Sequence, residues 1–177
     1  MKTLLQIYDP TISDKNTNHS YISDVYEELF KPYRETAKVI LEIGAYDGGS
    51  LFMWKEYFIK AQVIGIEIAK RVDINDARIK QIIANGYDLD TLKSLPSEID
   101  IAIDDGPHSL ISQKKFIDIY LDLIKPDGLL IIEDIAEANV DELIRHIPIT
   151  HKTKYVLHDL RDQRGGRWDN IILVIRK

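Results

Sequence analysis

Two short acidic stretches carry the densest chemistry in this chain: Asp104-Asp105-Gly106-Pro107-His108 and Glu133-Asp134. Each ends an apolar run, 99–104 in one case and 128–133 in the other. If those runs are neighbouring strands, about 4.8 Å apart, then Asp105, Glu133 and Asp134 share one rim of a sheet. Carboxylates packed that way repel unless a cation holds them. Hard oxygen donors without soft ones point to Mg2+ or Mn2+, with water completing the shell. His108 follows Asp105 after a Gly-Pro turn, where its imidazole can face a metal-bound substrate as a general base. The plainer alternative is a set of helix caps and a surface histidine, and Asp134 in particular suits the cap of a following helix.

A second constellation is Glu42-Ile43-Gly44-Ala45-Tyr46-Asp47-Gly48-Gly49-Ser50. Gly44 and Gly48 permit a tight turn and close approach of a ligand to the backbone before a helix begins. A dinucleotide fingerprint would also want glycine at 46, where the backbone meets the pyrophosphate. Tyr46 stands there, which argues against NAD or FAD, and no Gly-Lys-Ser/Thr follows to make a P-loop. An acid followed by Gly-x-x-x-Gly suits a zwitterionic adenosyl ligand, whose amino-acid end needs a carboxylate (Glu42) and free backbone groups. The bland reading is a glycine turn that only packs helix on strand. Glu67 ends another apolar run, and an acid there can accept both hydroxyls of a ribose through charge-assisted bonds. Its plain alternative is a solvated carboxylate at a strand end.

These residues need a frame that brings them together just after strands. Runs at 38–43, 62–67, 79–83, 99–104, 128–133, 154–158 and 170–175 read as strands. Helical periodicity lies between the first five, notably at 50–58 and 113–124. Ahead of them Ile22, Val25, Tyr26, Leu29 and Phe30 form a helical stripe that Pro32 ends. The first, second, fourth and fifth strands are nearly continuous apolar runs, as when helices cover both faces of a parallel sheet. The fold class is therefore α/β: a Rossmann-like, doubly wound sheet of about seven strands, mostly parallel with an antiparallel last strand. The last two strands, joined by the polar loop 159–169, read as an antiparallel pair at one edge. Ligands in such sheets bind outside the carboxyl ends of the strands, near the reversal of strand order. The acids and glycines fall there.

With 177 residues, the chain reads as a single domain over 1–177, residues 1–20 forming an N-terminal segment or lid. The absence of cysteine excludes disulfides, thiolate zinc, a cysteine nucleophile and thiol redox chemistry, and fits a cytoplasmic location. A net charge of −6 argues against nucleic acid as a partner. Lys114-Lys115 is too small a patch to change that. No apolar run approaches the ~20 residues of a membrane span, and the opening is too soon interrupted by Asp9-Pro10 for a signal peptide. His146, His151 and His158 lack a partnering pattern and read as surface or packing residues.

Taken together, the motifs resemble class I S-adenosylmethionine-dependent methyltransferases, and within them the metal-dependent macrolide sugar O-methyltransferases of the demethylmacrocin and mycinamicin type. The resemblance runs in order through Asp14-Lys15-Asn16-Thr17-Asn18-His19-Ser20-Tyr21, Leu41-Glu42-Ile43-Gly44 with Gly48-Gly49-Ser50, Asp104 to His108, Ile132-Glu133-Asp134 and Gly166-Arg167-Trp168-Asp169-Asn170. It implies that Asp105, Glu133 and Asp134 hold Mg2+ or Mn2+, and that His108 is the base, paired with Asp105 in catalysis. It also implies that S-adenosylmethionine meets Glu42, Gly44, Tyr46, Gly48, Glu67 and Asp104, with Asp88 or Asp90 near the adenine. The implied reaction is O-methyl transfer to a hydroxyl of a sugar or other vicinal diol, on a carbohydrate-containing small molecule, by a self-associating protein.

Departures from the family pattern are Asn16 for a usual glycine, and Pro107 and Ser109 around the histidine. The family's extra N-terminal structure has no counterpart in this sequence, so acceptor identity does not carry over. Lys15, His19 and Tyr21 either close over the cofactor pocket as a lid or form a plain loop with Ser20 as a helix cap. Two rival readings stay open: a metal-dependent hydrolase built on the acidic cluster, and a non-catalytic binding module on a methyltransferase scaffold.

Overall fold

The largely apolar run Val39–Ile43 forms β1, and Gln62–Glu67, Ile79–Ile83 and Ile99–Asp104 form β2, β3 and β4 within the expected bounds or one residue of them. The computed structural model describes residues 1–151, 154–163 and 167–177. Gly166 of the closing motif, and 164–166 of the expected polar loop, lie outside those residues. β5 covers Ile124–Ile132, β6 Tyr155–Asp159 and β7 Ile171–Arg176. The strands make one sheet in the order β3-β2-β1-β4-β5-β7-β6. β1 to β5 run parallel, whereas β7 is antiparallel to both β5 and β6. The order reverses between β1 and β4, so the carboxyl ends of these two neighbours flank the ligand crevice.

The last pair is antiparallel and lies together at one edge, as expected; within it β7 takes the inner place beside β5 and β6 the rim. The residues explain this. Ile171 to Ile175 are apolar and buried throughout, whereas β6 is half-buried or exposed along its length and suits the rim. β5 starts earlier than the apolar run because Lys125-Pro126-Asp127 still extends the strand; the pairing register with β4 shifts between Ile99 and Ile101.

Helix α1 is the short Leu4–Ile7, capped by Thr3. The amphipathic stripe forms a π-turn over Ile22–Tyr26, then α2 (Glu27–Phe30), then a 3-10 turn over Lys31–Tyr33. Pro32 therefore does not stop the helical path. It sits in the first turn of the 3-10 segment, where a missing N–H is tolerated. α3 spans Gly49–Tyr57, α4 the single turn Leu89–Leu92, α5 Leu110–Tyr120 and α6 Val140–His146. α5 starts and ends earlier than the 113–124 periodicity suggests, because the Ser109 hydroxyl accepts from the Ser112 N–H at 3.1 Å and fixes the start. Between β2 and β3 no helix forms among the described residues, since 68–78 is too rich in charged and polar side chains to cover the sheet.

Alternating strand residues feed two cores. Ile40, Ile101, Ile103, Leu129 and Ile131 pack with Tyr26, Phe30, Trp54 and Phe58 on one face. Leu41, Ala102, Leu130 and Ile132 pack with Phe116, Ile117 and Tyr120 on the other. Fully burying side chains of this size stabilises by ~1.5–3 kcal/mol each, which makes the strand ends rigid mounts. Among the described residues no helix is long and apolar enough to cross a membrane.

Candidate active site

The loops after β1 and β4 touch through their backbones. The Gly44 N–H bonds to the Ile66 carbonyl at 2.9 Å, and the Asp105 N–H to the Ile43 carbonyl at 2.9 Å. Gly44 has φ +85°, and a β-carbon there would lie 1.9 Å from the Asp105 carbonyl oxygen. No other residue fits both demands. Tyr46, where a dinucleotide fingerprint would place glycine, also has positive φ, 46°. Its N–H donates to Glu67 Oε2 at 2.9 Å, while the Ile68 N–H occupies Glu67 Oε1 at 2.9 Å. The Arg71 guanidinium covers the Tyr46 ring at 4.2 Å. Glu67 is thus fixed at the end of β2 with lone pairs to spare.

Two clefts flank this loop. One, of about 560 Å3, has walls from Ile66, Glu67, Ile68, Asn85, Tyr87 and Pro107, and reaches His108. Its apolar sides, with Glu67 at the end of β2, suit a nucleoside. The other, of about 520 Å3, is lined by polar groups of Ser13, Asp14, Thr17, Asn18, Asp47 and Ser50, and suits a zwitterionic end. Gly44, Tyr46 and Asp105 belong to both. The chemistry of the two walls therefore fits an adenosyl amino acid laid across the glycine loop.

Asp104, the last residue of β4, accepts from the Tyr87 hydroxyl, and burial pushes its carboxyl up to about 6 against the pull of that hydroxyl and the Gly106 N–H. Asp88 is not brought into the cleft. It is exposed at the start of α4 and accepts from the Asn85 amide at 3.2 Å, while Asp90 pairs with Lys93 on the surface. The wall there is made by Ala84, Asn85, Gly86 and Tyr87 instead.

At the acidic corner, ligand atoms of Asp105, His108 and Asp134 all lie within 4.8 Å of one another. His108 and Asp134 both sit in the left-handed region, with φ 54° and 53°, a strain that gathers at functional sites. His108 Nε2 is 3.6 Å from Asp134 Oδ2. Burial holds the His108 imidazole below its usual range despite the attraction of Asp134, so it is neutral at pH 7 and able to accept a proton. The carboxylates of this corner fit a hard divalent cation, with the imidazole standing beside them.

Glu133 is 1% exposed and has a different pair of partners: the Lys15 ammonium and the Tyr26 hydroxyl. Lys15, 2% exposed, also reaches Asp105 Oδ2 at 2.7 Å and Glu42 Oε1 at 3.2 Å. Burial alone would lower the Lys15 pKa, but Asp105, Glu133 and Glu42 together hold it well above the usual value. One ammonium cannot neutralise all these acids. Burial and mutual repulsion accordingly keep Asp105 and Glu133 above the usual carboxylate range.

Glu42 lies beneath the loop rather than in a cleft. It accepts from Ser50 Oγ at 2.6 Å and Trp54 Nε1 at 2.9 Å. The 14–21 segment is buried at Lys15, His19, Ser20 and Tyr21 and plugs the acidic corner, and Ser20 makes no cap. Sequence reasoning missed Tyr87 altogether, and it placed Tyr26 in an apolar stripe. A tyrosine in a helical core stripe, in a chain with acids that need hydrogen-bond donors, was the signal available.

No protein-family model matches the chain. A rhamnosyl tetracenomycin-C 2'-O-methyltransferase from Streptomyces olivaceus is 35% identical over 136 residues, covering 71% of this chain and 36% of that protein. The mycinamicin VI 2''-O-methyltransferase of Micromonospora griseorubida is 32% identical over 123 residues, covering 64% and 31%. The chain thus spans about a third of the length of the curated relatives it matches. Among solved structures, a methyltransferase of the mycinamycin pathway in complex with Mg, SAH and mycinamycin VI superposes with a TM-score of 0.76 at 23% identity, covering 99% of this chain and 54% of that one. Aeropyrum pernix fibrillarin with bound S-adenosyl-L-methionine gives 0.62 at 14%, covering 81% and 68%.

The fold is that of the class I S-adenosylmethionine-dependent methyltransferases. In sequence the chain is similar to the macrolide sugar O-methyltransferases of the mycinamicin and demethylmacrocin type.

Proposed function

We propose that this chain carries out S-adenosylmethionine- and Mg2+-dependent O-methyl transfer to a hydroxyl of a sugar or other vicinal diol on a small molecule. The observation that carries this reading is the junction at Asp105. A nucleoside-shaped cleft and a polar cleft meet there, beside a histidine and a second aspartate with converging ligand atoms.

Glu67 and Tyr87 bind the adenosyl end, and the backbone from Gly44 through Tyr46 to Gly48 holds the rest of the cofactor. Asp105 and Asp134 would hold the metal, with Glu133 as the third carboxylate. When bound, the cofactor supplies an activated methyl group and the metal lowers the pKa of a chelated hydroxyl. The His108 imidazole takes the proton from that hydroxyl, a role worth ~10²–10⁴-fold. Asp105 and Asp134 orient the acceptor so that its freed oxygen faces the methyl donor, and further acceleration comes from that positioning. The acceptor class follows the relatives: a carbohydrate-bearing small molecule.

Calorimetric titration of S-adenosylhomocysteine into the protein, with Mg2+ and then with chelator, tests the cofactor half. Clear binding in both conditions is expected, since the metal serves the acceptor. Methyl transfer to glycosides and catechol-like diols tests the other half. No binding in either condition, or phosphoester hydrolysis without the cofactor, would overturn the reading.

A further inference from the structure

We propose that Tyr21 and Tyr26 are positioning residues for the divalent-cation site, aimed together at Asp134 and Glu133 by the π-turn between them. The inference rests on the metal reading above. At 3.6 residues per turn, side chains five positions apart diverge by ~140°. In an unbroken α-helix these two phenols would face different walls. Here the Glu27 N–H bonds back to the Ile22 carbonyl, so the turn holds one extra residue. The two rings come together edge to face at 6.3 Å. The Tyr21 hydroxyl donates to Asp134 Oδ1 at 2.5 Å, and the Tyr26 hydroxyl donates to Glu133 Oε1. Glu133 and Asp134 are adjacent in sequence just past β5, and two donors arriving from one side fix both carboxylates at once.

Both tyrosines are buried, at 1% and 0% exposure. Tyr26 stacks on Phe30 at 4.5 Å and meets Trp54 edge-on at 5.8 Å, so its oxygen cannot swing away. π-turns inserted in helices are rare and are found often at functional sites. Donors behind metal-binding carboxylates set their orientation, and losing one costs ~10–100-fold in metal affinity.

The test uses the whole protein and Mn2+ as the probe, with binding followed by titration calorimetry and by the loss of the free-ion spin-resonance signal. The variants are Tyr21→Phe, Tyr26→Phe and, as control, Tyr33→Phe, whose hydroxyl donates to the Asp127 carbonyl, remote from the acids. Expected is a ~10–100-fold weaker Mn2+ affinity in the first two and none in the control. The metal-induced rise in melting temperature should shrink as well, a change that a merely structural hydroxyl would not produce. Affinities within about threefold of the parent in both would overturn the inference while leaving the metal reading in place. If the parent takes up no Mn2+, the metal reading falls and this inference with it. Tyr21→Phe alone decides the matter should Tyr26→Phe be too unstable to purify.

Discussion

Replacing Lys15 with methionine removes the one ammonium among the described residues that touches Asp105, Glu133 and Glu42, while keeping most of the volume. At an effective dielectric near 20, the attraction across 2.7 Å to Asp105 is about 6 kcal/mol and across 3.2 Å to Glu42 about 5 kcal/mol. Burying the ammonium returns several kcal/mol of this, and deleting one partner of a buried pair costs ~3–5 kcal/mol net. For a chain of this size each kcal/mol moves the melting temperature by ~2–4 °C. A loss of about 4 kcal/mol thus lowers the melting point by about 8–16 °C at pH 7.5 in chelator.

The pH dependence has a definite sign. Asp105 and Glu133 already sit above the usual carboxylate range, and without Lys15 they move higher. A carboxyl with a raised folded pKa costs stability once the unfolded chain ionises, so the penalty grows as pH rises from about 4. The gap between Lys15→Met and the parent should therefore narrow towards pH 5. Scanning calorimetry at pH 5 and 7.5 measures it. A variant melting within about 2 °C of the parent at pH 7.5, or a gap that widens on acidification, would refute the assignment of Lys15 as counter-ion.

His108→Ala should lower turnover by ~10²–10⁴-fold with S-adenosylhomocysteine affinity little changed in calorimetry; full activity would remove the base. Asp104→Asn keeps an acceptor for Tyr87 but cannot ionise. Because burial pushes Asp104 up to about 6, the variant should gain up to ~3 kcal/mol over the parent as pH rises from 4 to 7.5, and urea titrations showing a constant difference would contradict this. Gly44→Ala places a β-carbon 1.9 Å from the Asp105 carbonyl at φ +85°, so metal binding and cofactor binding should fail together in titrations. Survival of either at parental affinity would mean that the two loops move independently.

The sheet was legible because its central strands are nearly continuous apolar runs, and the carboxyl-end rule then assembled Glu67, Asp105 and His108 without any contact information. What escaped depends on long-range charge balance. Lys15 lies in an N-terminal segment with no periodic signature, and nothing local announces that its ammonium ends between Asp105 and Glu133. The stripe from Ile22 to Phe30 matches an α-helix so well that the extra residue of the π-turn is invisible, and with it the reason Tyr26 is a tyrosine. Asp88 failed for the opposite reason: an acid after a strand resembles a ligand contact, yet one position decides whether the chain presents Tyr87 or Asp88 to the crevice. The insertion of β7 between β5 and β6 could not be read from two short strands that differ mainly in how evenly they are apolar.

The plug formed by the 14–26 segment also bears on the order in which the protein acquires its site. Lys15 bridges 90 residues to Asp105 and 118 to Glu133, and Tyr21 bridges 113 to Asp134. Contacts of such sequence separation are reached only after the intervening chain has paid its loop-closure entropy. Their targets exist only once β4 and β5 have paired. The residues synthesised early are thus the ones that dock late, and substitutions at Lys15 or Tyr21 should speed unfolding while leaving the folding rate nearly untouched.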